Sequence, residues 1–210
     1  MQSKYMVMIA PEIKKHLNKD KKLKEIIKKV TLTPPIPRKD LYLNLLRAIA
    51  GQQLSVKAAA TIWERVLNLF QDRYPSVEAL LKMDDEKLRG AGLSYQKAGY
   101  LKNIAHFSLD ETLDYKKLRS KTDEDLIAYL TQIKGVGKWT VEMILMFSLV
   151  RENVLPVDDL GIQNAIKQAY HLTTTGKQLK LDIEKVAEPW QPYRTYACMY
   201  LWRSLDNEMK

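Results

Sequence analysis

Apolar residues recur at intervals of three and four along most of the 210-residue chain, which is the spacing of one face of an α-helix. No segment alternates apolar and polar residues over several strands, and no internal repeat is found. The pattern predicts an all-α protein, with Ser94 and Thr122 as N-caps of two helices. After the N-terminal segment, the predicted helices cover residues 41–50, 56–70, 76–83, 85–91, 95–107, 114–119, 123–133, 138–150, 161–170, 176–187 and 193–205.

The predicted helix 138–150 differs from the others because it is apolar on nearly every side. A helix of this kind has no polar face to turn toward water, so it must be buried all round. We therefore expect it to be the central helix of the fold.

The N-terminal segment has two parts of different character. Residues 11–30 are rich in lysine and carry apolar residues at roughly helical spacing, and we expect the lysines to form a solvated face in preference to a nucleic-acid-binding arm. Residues 31–40 contain three prolines within four positions, which predicts an extended connector. We expect residues 1–40 to pack with a C-terminal part, 156–210, on one side of a central helical core, 41–155.

The overall charge is strongly positive. Lysine and arginine total 34 against 25 aspartate and glutamate residues, a formal net charge of +9. This balance suits a polyanionic partner, because neutralised phosphates release their counterions. Charge alone does not identify the partner, since many basic proteins bind no nucleic acid.

The cysteine count excludes several classes of site. Cys198 is the only cysteine, so the chain can form neither an intrachain disulfide nor a four-cysteine zinc or iron–sulfur site. No apolar run approaches the roughly 18–20 residues that span a bilayer, and the N-terminus lacks a signal-peptide cleavage pattern. These features predict a cytoplasmic protein without a membrane partner.

The most informative stretch is residues 130–145, LTQIKGVGKWTVEMIL. One predicted helix ends near Ile133, Gly-Val-Gly makes a tight reversal, and the next helix starts within a few residues. The amides of Gly135, Gly137 and Lys138 would then point outward at a helix N-terminus, where the partial positive charge favours a phosphate. The alternative is an ordinary turn between two helices with glycine C-caps.

A pair of acidic residues follows this hairpin about twenty residues later. Asp159 lies twenty residues beyond Trp139, in the stretch VLPVDDLGIQNAI. Pro156 and the pair Asp158-Asp159 mark the start of a predicted helix, where either aspartate can be a plain N-cap. A plain N-cap needs no further role for either aspartate.

These features resemble the HhH-GPD superfamily of DNA glycosylases, whose name records the hairpin, a Gly/Pro-rich loop and the aspartate. Residues 41–66, with their Gln-Gln-Leu-Ser turn, and residues 88–105 are similar to two further segments of that family, in the same order. Residues 187–203 are similar to the C-terminal helix of its 3-methyladenine DNA glycosylase II (AlkA-like) branch. The resemblance implies a helix–hairpin–helix glycosylase fold in which two helical lobes flank a DNA-binding cleft. It further implies a compact form without the N-terminal β-rich domain of longer members.

The resemblance also bears on the chemistry. Bifunctional members carry a Schiff-base lysine at the position that Trp139 occupies here, and several branches add a four-cysteine cluster that this chain cannot form. This implies a monofunctional DNA glycosylase that flips out and hydrolytically excises alkylated purines of the 3-methyladenine type from duplex DNA in base excision repair. Two alternatives stay open: a non-catalytic helix–hairpin–helix DNA-binding protein, and a glycosylase for oxidised or deaminated bases.

Site residues are implied by alignment to the family's motifs. Asp159 takes the catalytic role, with Asp158 as the fallback, because a carboxylate stabilises the positive charge that develops on the sugar. Gln53 or Leu54 is the wedge that fills the space of the flipped nucleotide, unless this turn only caps helices. The implied walls of the base pocket are Trp139, Met143 and Trp190, where a position like 143 can hold tyrosine in the branch and either tryptophan can instead be core.

The remaining implied contacts concern the DNA backbone and a cation. The DNA backbone would meet Gly135, Gly137, Lys138 and Thr140. Backbone carbonyls of Thr131, Ile133 and Val136 would hold a monovalent cation, Na⁺ or K⁺, and no other cofactor is expected. The expected partner is double-stranded DNA containing damaged bases, bound by a monomer, at the nucleoid in a prokaryote or in the nucleus of a eukaryote.

Overall fold

The computed structural model describes residues 9–208, so residues 1–8 of the predicted N-terminal segment lie outside the described part. The described residues form thirteen α-helices and two short 3₁₀ turns, and they contain no strand. The prediction of an all-α protein is therefore confirmed. Within this range, none of the helices is both long enough and apolar enough to cross a membrane.

The helices fall into two units. The central unit comprises residues 37–149 and the terminal unit comprises residues 9–36 together with residues 150–208. These boundaries lie at 36/37 and 149/150, whereas the sequence suggested 40/41 and 155/156. The helices of the central unit are α3 Leu41–Gly51, α4 Val56–Leu67, α5 Val77–Lys82, α6 Asp85–Gly90, α7 Tyr95–Asp110, α8 Tyr115–Arg119, α9 Asp123–Leu130 and α10 Lys138–Phe147. Those of the terminal unit are α1 Pro11–Leu17, α2 Lys21–Lys29, α11 Leu160–Tyr170, α12 Gly176–Ala187 and α13 Arg194–Glu208.

Side-chain caps fix where many helices begin. The Ser94 hydroxyl accepts a hydrogen bond from the Lys97 amide at 3.2 Å and starts α7, and the Thr122 hydroxyl accepts from the Asp125 amide at 3.1 Å and starts α9. Both caps match the prediction, because an N-cap satisfies an amide that the first helical turn leaves without a partner.

Several helix boundaries differ from the predictions by a few residues, and two of the differences have a visible cause. Residues 11–29 form two helices instead of one, because the Asp20 side chain accepts hydrogen bonds from the amides of Lys22 and Leu23 and so starts α2. Helix α10 ends at Phe147, and Val150 has a φ of 56°, so the helix does not reach the predicted residue 150.

The core of the central unit lies among α3, α4, α7 and α10. Helix α10 is not buried all round as its composition suggested, because Trp139, Met143 and Phe147 are partly exposed at four-residue spacing. Its opposite side is buried, with Val141 and Leu145 in the core. One face of the most apolar helix is therefore left open to a cavity described below.

The terminal unit contains a partly buried polar network around Asp20. Asp20 Oδ2 accepts hydrogen bonds from Trp190 Nε1 at 2.9 Å and from the Tyr170 hydroxyl at 2.7 Å. Desolvation by burial raises the pKa of Asp20, but the bonds from Trp190, Tyr170 and two backbone amides outweigh it and hold the pKa below its ordinary value. One carboxylate thereby ties the start of α2 to α11 and to the turn that precedes α13.

Replacing Asp20 with asparagine is expected to lower the free energy of unfolding by about 1–2 kcal/mol at neutral pH. Asparagine keeps an oxygen for the cap, but its amide NH₂ would face the Trp190 N–H and the Tyr170 hydroxyl, which are both donors. Because the pKa of Asp20 is depressed on folding, its contribution is present above the ordinary carboxyl range and is lost as pH falls through the lowered pKa.

Urea unfolding of wild type and Asp20→Asn at about pH 7 and about pH 2 measures this difference, which should shrink at the lower pH. Asp182→Asn is the control, because the Asp182 carboxylate accepts hydrogen bonds from Thr174 and Gln178, which lie close to it in the sequence of the same unit. Equal losses in the two variants would contradict the role of the network.

Candidate functional site

The hairpin between α9 and α10 is a tight turn, and α7 packs against one side of it. The Val136 amide donates to the Ile133 carbonyl at 2.9 Å, and Gly135 has a φ of 103°, a backbone conformation that favours glycine. A Cβ at Gly135 would overlap the ring of Tyr100. The Asn103 side chain donates to the Lys134 carbonyl at 3.0 Å, so α7 supports the hairpin at two points.

The outer side of this hairpin is open. Gly137 is the N-cap of α10, is exposed, and has no atom within 4 Å of the position of an added Cβ. Lys138 follows with its side chain 52% exposed and its Nζ 3.7 Å from Glu142 Oε1. Exposed amides at a helix N-terminus beside a cation are suited to a phosphate oxygen.

Thr140 does not belong to this open side. Its side chain is 1% exposed, and its hydroxyl accepts a hydrogen bond from Gln52 Nε2 at 3.0 Å. Thr140 was predicted to contact a DNA backbone. The helix turns its side chain inward, so only its main-chain amide could make such a contact, and this stays a prediction. The residue instead joins α10 to the turn after α3.

The wedge turn, which we define as residues 52–55, connects α3 to α4. Gln53 is exposed and has a φ of 59°, a left-handed conformation that costs a non-glycine residue about 1–2 kcal/mol. Leu54 is 38% exposed, and Val56 just after the turn is 89% exposed. A strained turn that presents apolar and amide side chains to solvent is a recurrent feature of functional sites.

A cavity of about 420 Å³ lies in the central unit next to the wedge turn. It brings together three of the residues that the sequence singled out: Leu54, Trp139 and Met143. The partly exposed face of α10 forms one wall, and Arg47 of α3 also lines the space. An indole beside an aliphatic thioether wall suits a flat aromatic ligand, including one that carries positive charge.

Asp159 lies in the terminal unit, at the start of α11. Its Oδ1 accepts hydrogen bonds from the Ile162 amide at 2.8 Å and from Trp202 Nε1 at 2.8 Å. Gly161 leaves room for the Trp202 ring, because a Cβ there would lie 3.0 Å from it. The N-cap interpretation therefore applies to Asp159, whose carboxylate is held in one orientation, and its catalytic role stays a prediction.

Asp158 is placed differently from its neighbour. Its carboxylate forms an ion pair with Lys180 of α12 and is exposed. The structure thus separates the two aspartates by their partners. Asp159 has two N–H donors in a half-buried setting, whereas Asp158 has a surface lysine.

Trp190 was predicted as a pocket wall, and the structure places it in the core. It is 1% exposed, its Nε1 bonds Asp20, and its ring lies 6.1 Å from that of Tyr170. It precedes α13 in a 3₁₀ turn whose indole points inward. The tryptophan next to Asp159 is Trp202, which the sequence analysis did not single out. The one sequence feature that could have pointed to Trp202 is that the segment 187–203 contains a second tryptophan.

The carbonyls of Thr131, Ile133 and Val136 are the suggested cation ligands at the hairpin. All three are neutral oxygens in or beside the tight reversal, a donor type that suits a hard monovalent cation. The Ile133 oxygen accepts the Val136 amide and keeps a second lone pair. Across residues 9–208 we find no group of three or more His, Cys, Asp or Glu side chains that could hold a metal ion.

Comparisons with known proteins identify the family of the chain. Residues 46–192 match the family described as "HhH-GPD superfamily base excision DNA repair protein". The chain is 37% identical over 190 residues to DNA-3-methyladenine glycosylase 1 of Schizosaccharomyces pombe, which covers 88% of this chain and 82% of that protein.

Two solved structures are also similar. One is the S. pombe 3-methyladenine DNA glycosylase Mag1 in complex with abasic DNA, with a TM-score of 0.83, 35% identity and coverage of 93% of this chain and 97% of that one. The other is a DNA-3-methyladenine glycosidase of Bacillus halodurans, with a TM-score of 0.76, 35% identity and coverage of 95% and 91%. The chain belongs to the HhH-GPD superfamily of base excision DNA repair proteins.

Proposed function

We propose that the protein is a monofunctional DNA glycosylase, an N-glycosyl hydrolase that excises alkylated purines of the 3-methyladenine type from duplex DNA in base excision repair. The observation that carries this proposal is Asp159, a half-buried carboxylate oriented by two N–H donors at the family's aspartate position. The names of the relatives at 35–37% identity support the substrate class.

The hairpin is assigned to DNA binding. The exposed amides of Gly137 and Lys138 at the start of α10 would bind a phosphate of the DNA backbone, and the Lys138 ammonium adds a charge-assisted contact. Contacts of this kind position the protein on duplex without reading sequence. A monovalent cation on the carbonyls of Thr131, Ile133 and Val136 would add positive charge beside that phosphate.

Flipping and base binding are assigned to the wedge turn and the cavity. A base inside a duplex is inaccessible, so the nucleotide must leave the helix and something must fill its place. Gln53 and Leu54 are exposed on the wedge turn for this purpose. The flipped base would stack on Trp139, where cation–π attraction favours a cationic N3- or N7-alkylated purine over a neutral one.

Asp159 is assigned to the chemical step. As the bond between the sugar C1′ and the purine nitrogen breaks, its electron pair leaves with the base and positive charge develops on the sugar. The carboxylate stabilises that charge and takes a proton from the water whose oxygen then bonds C1′. An alkylated purine that already carries positive charge leaves as a neutral base, so no protonating acid is required.

No covalent intermediate with the protein is expected. Trp139 stands where a bifunctional enzyme has its Schiff-base lysine, and an indole cannot form such a bond. The single cysteine excludes a four-cysteine iron–sulfur cluster. Double-stranded DNA with damaged bases is the proposed partner of a monomer, and the proposed site of action is wherever the cell keeps its DNA.

A base-release assay tests this proposal. Duplex DNA containing N7-methylguanine should yield free base and an abasic strand that stays intact until it is treated with alkali. Sodium borohydride added during turnover should trap no protein–DNA adduct. Binding of the duplex without release from a panel of alkylated, oxidised and deaminated bases would leave only a DNA-binding module, and a trapped adduct would overturn the monofunctional assignment.

A further inference from the structure

The wedge turn is exposed to solvent and contains a residue in a strained backbone conformation. Gln53 is in a left-handed conformation, and the side chains of Gln53, Leu54 and Ser55 are exposed. The Ser55 hydroxyl serves as the N-cap of α4, where it accepts from the Ala58 amide at 3.3 Å. A turn that must press into a base stack therefore needs support from other parts of the central unit.

Lys97 supplies one support from α7. Its Nζ donates to the Gln52 carbonyl at 2.7 Å and to the Ala50 carbonyl at 3.0 Å. These are among the last carbonyls of α3, which have no partner within the helix and lie at its negative end. Burial lowers the pKa of Lys97, as expected for an ammonium that has exchanged water for backbone oxygens.

Gln52 supplies the second support. Its side-chain amide donates to the buried Thr140 hydroxyl of α10 at 3.0 Å. The wedge turn is thus tied to α7 through its backbone and to α10 through its first side chain.

The same face of α7 also carries the two contacts to the hairpin. Lys97, Tyr100 and Asn103 follow one another at three-residue intervals, so they lie along one side of the helix. Tyr100 packs on Gly135, and Asn103 bonds the Lys134 carbonyl. The wedge turn and the hairpin are therefore held by one rigid element.

We propose that Lys97 is a positioning residue for nucleotide flipping, which holds the wedge turn at a fixed place relative to the phosphate-binding hairpin. This rests on the proposed function, because it takes Gln53 and Leu54 as the wedge. Loss of Lys97 should therefore slow base release from some substrates more than from others. The rate should fall most where extruding the base costs the most free energy, and least for an unpaired nucleotide.

Lys97→Met tests this, since methionine keeps an unbranched chain but has no donor. Single-turnover release of N7-methylguanine should fall about 10- to 100-fold when the lesion is paired with cytosine, the range expected for a misplaced positioning group. The same lesion in a one-nucleotide bulge should lose less than about 3-fold. Lys97→Arg, which retains charge and donors, should recover part of the rate on the paired lesion.

The matched control is Lys102→Met, on the same helix. The Lys102 ammonium pairs with Asp85 and makes none of the contacts of Lys97 to the wedge turn. It should change both rates by less than about 3-fold. Thr140→Val removes the second support and should reproduce the preference for the bulged lesion, which keeps the idea testable if Lys97→Met does not fold.

A second readout does not depend on catalysis. Duplex with 2-aminopurine next to a stable abasic analogue brightens when the neighbouring stack is opened, so saturating wild-type protein should raise its fluorescence. Lys97→Met should raise it less at unchanged thermal stability. The proposal would be overturned if Lys97→Met lost the same factor in rate on paired and bulged lesions. It would also be overturned if the variant matched the wild type in both the release rates and the fluorescence increase. A wild type that brightens the probe but releases no base would overturn the proposed function alone.

Discussion

Replacing Asp159 with asparagine is expected to lower the single-turnover rate of base release about 10²- to 10³-fold or more, which is the cost of removing a preorganised charge from a transition state. Asparagine keeps an Oδ1 that can accept from the Ile162 amide and from Trp202 Nε1, and it is as good an N-cap as aspartate. The variant should therefore fold, melt within a few degrees of wild type, and bind duplex DNA with unchanged affinity.

The neighbouring aspartate is the control for this prediction. Asp158→Asn removes a carboxylate one residue away, whose partner is the surface Lys180, and should change the rate by less than about 3-fold. The two variants carry the same loss of one negative charge in one loop. A fully active Asp159→Asn, or a larger loss in Asp158→Asn, would contradict the assignment of the catalytic carboxylate.

Much of the fold follows from local rules. A hydroxyl such as Ser94 or Thr122 just before an apolar periodic segment starts a helix wherever the chain goes next, so these boundaries could be read from neighbouring residues alone. The break at Asp20 is of the same local kind, because Asp20 caps α2 through the amides of Lys22 and Leu23. It was missed because apolar residues recur at roughly helical spacing across residues 11–30. The Asp20 carboxylate is also held by Tyr170 and Trp190, about 150 and 170 residues further along.

In the candidate site, too, features within a short stretch of sequence could be predicted, whereas contacts between distant residues could not. Asp159 and the hairpin glycines could be predicted as site residues because the family's motifs are patterns in the sequence itself. The partner of Asp159 could not be predicted, because periodicity does not say which of two tryptophans twelve positions apart faces α11. Helix α13 begins at Arg194, so Trp190 lies before it and packs inward, whereas Trp202 is carried by the helix to the aspartate.

Lys97 shows the same limit in a case where the motif itself was noticed. It belongs to the segment 88–105 whose likeness to the family was visible in the sequence. Its contacts are the carbonyls of Ala50 and Gln52, more than forty positions away. From the sequence alone, a lysine on a helix is predicted to be solvated. Only the fold shows that the C-terminal end of another helix lies against it.

Substituting alanine for Gly135 is expected to lower the free energy of unfolding by about 2–5 kcal/mol, since two penalties add. Its φ of 103° is strained for any residue with a Cβ, and that Cβ would overlap the Tyr100 ring. To make room, α7 and the hairpin would have to separate. Urea unfolding measures the loss, and binding to undamaged duplex should weaken in parallel, because the hairpin can no longer present its amides.

Gly137→Ala separates the two glycines of the hairpin by their roles. Gly137 has a φ of −94° and open space where a Cβ would stand, so alanine should cost no more than the poorer N-cap, about 1 kcal/mol. A methyl group there would still stand between the amides of α10 and a phosphate, so affinity for duplex should fall about 10-fold. Stability lost at Gly135 and affinity lost at Gly137 would together establish that one glycine shapes the hairpin and the other admits DNA. A stable Gly135→Ala that binds normally would mean that α7 does not set the hairpin's position, and the support assigned to Tyr100 would be wrong.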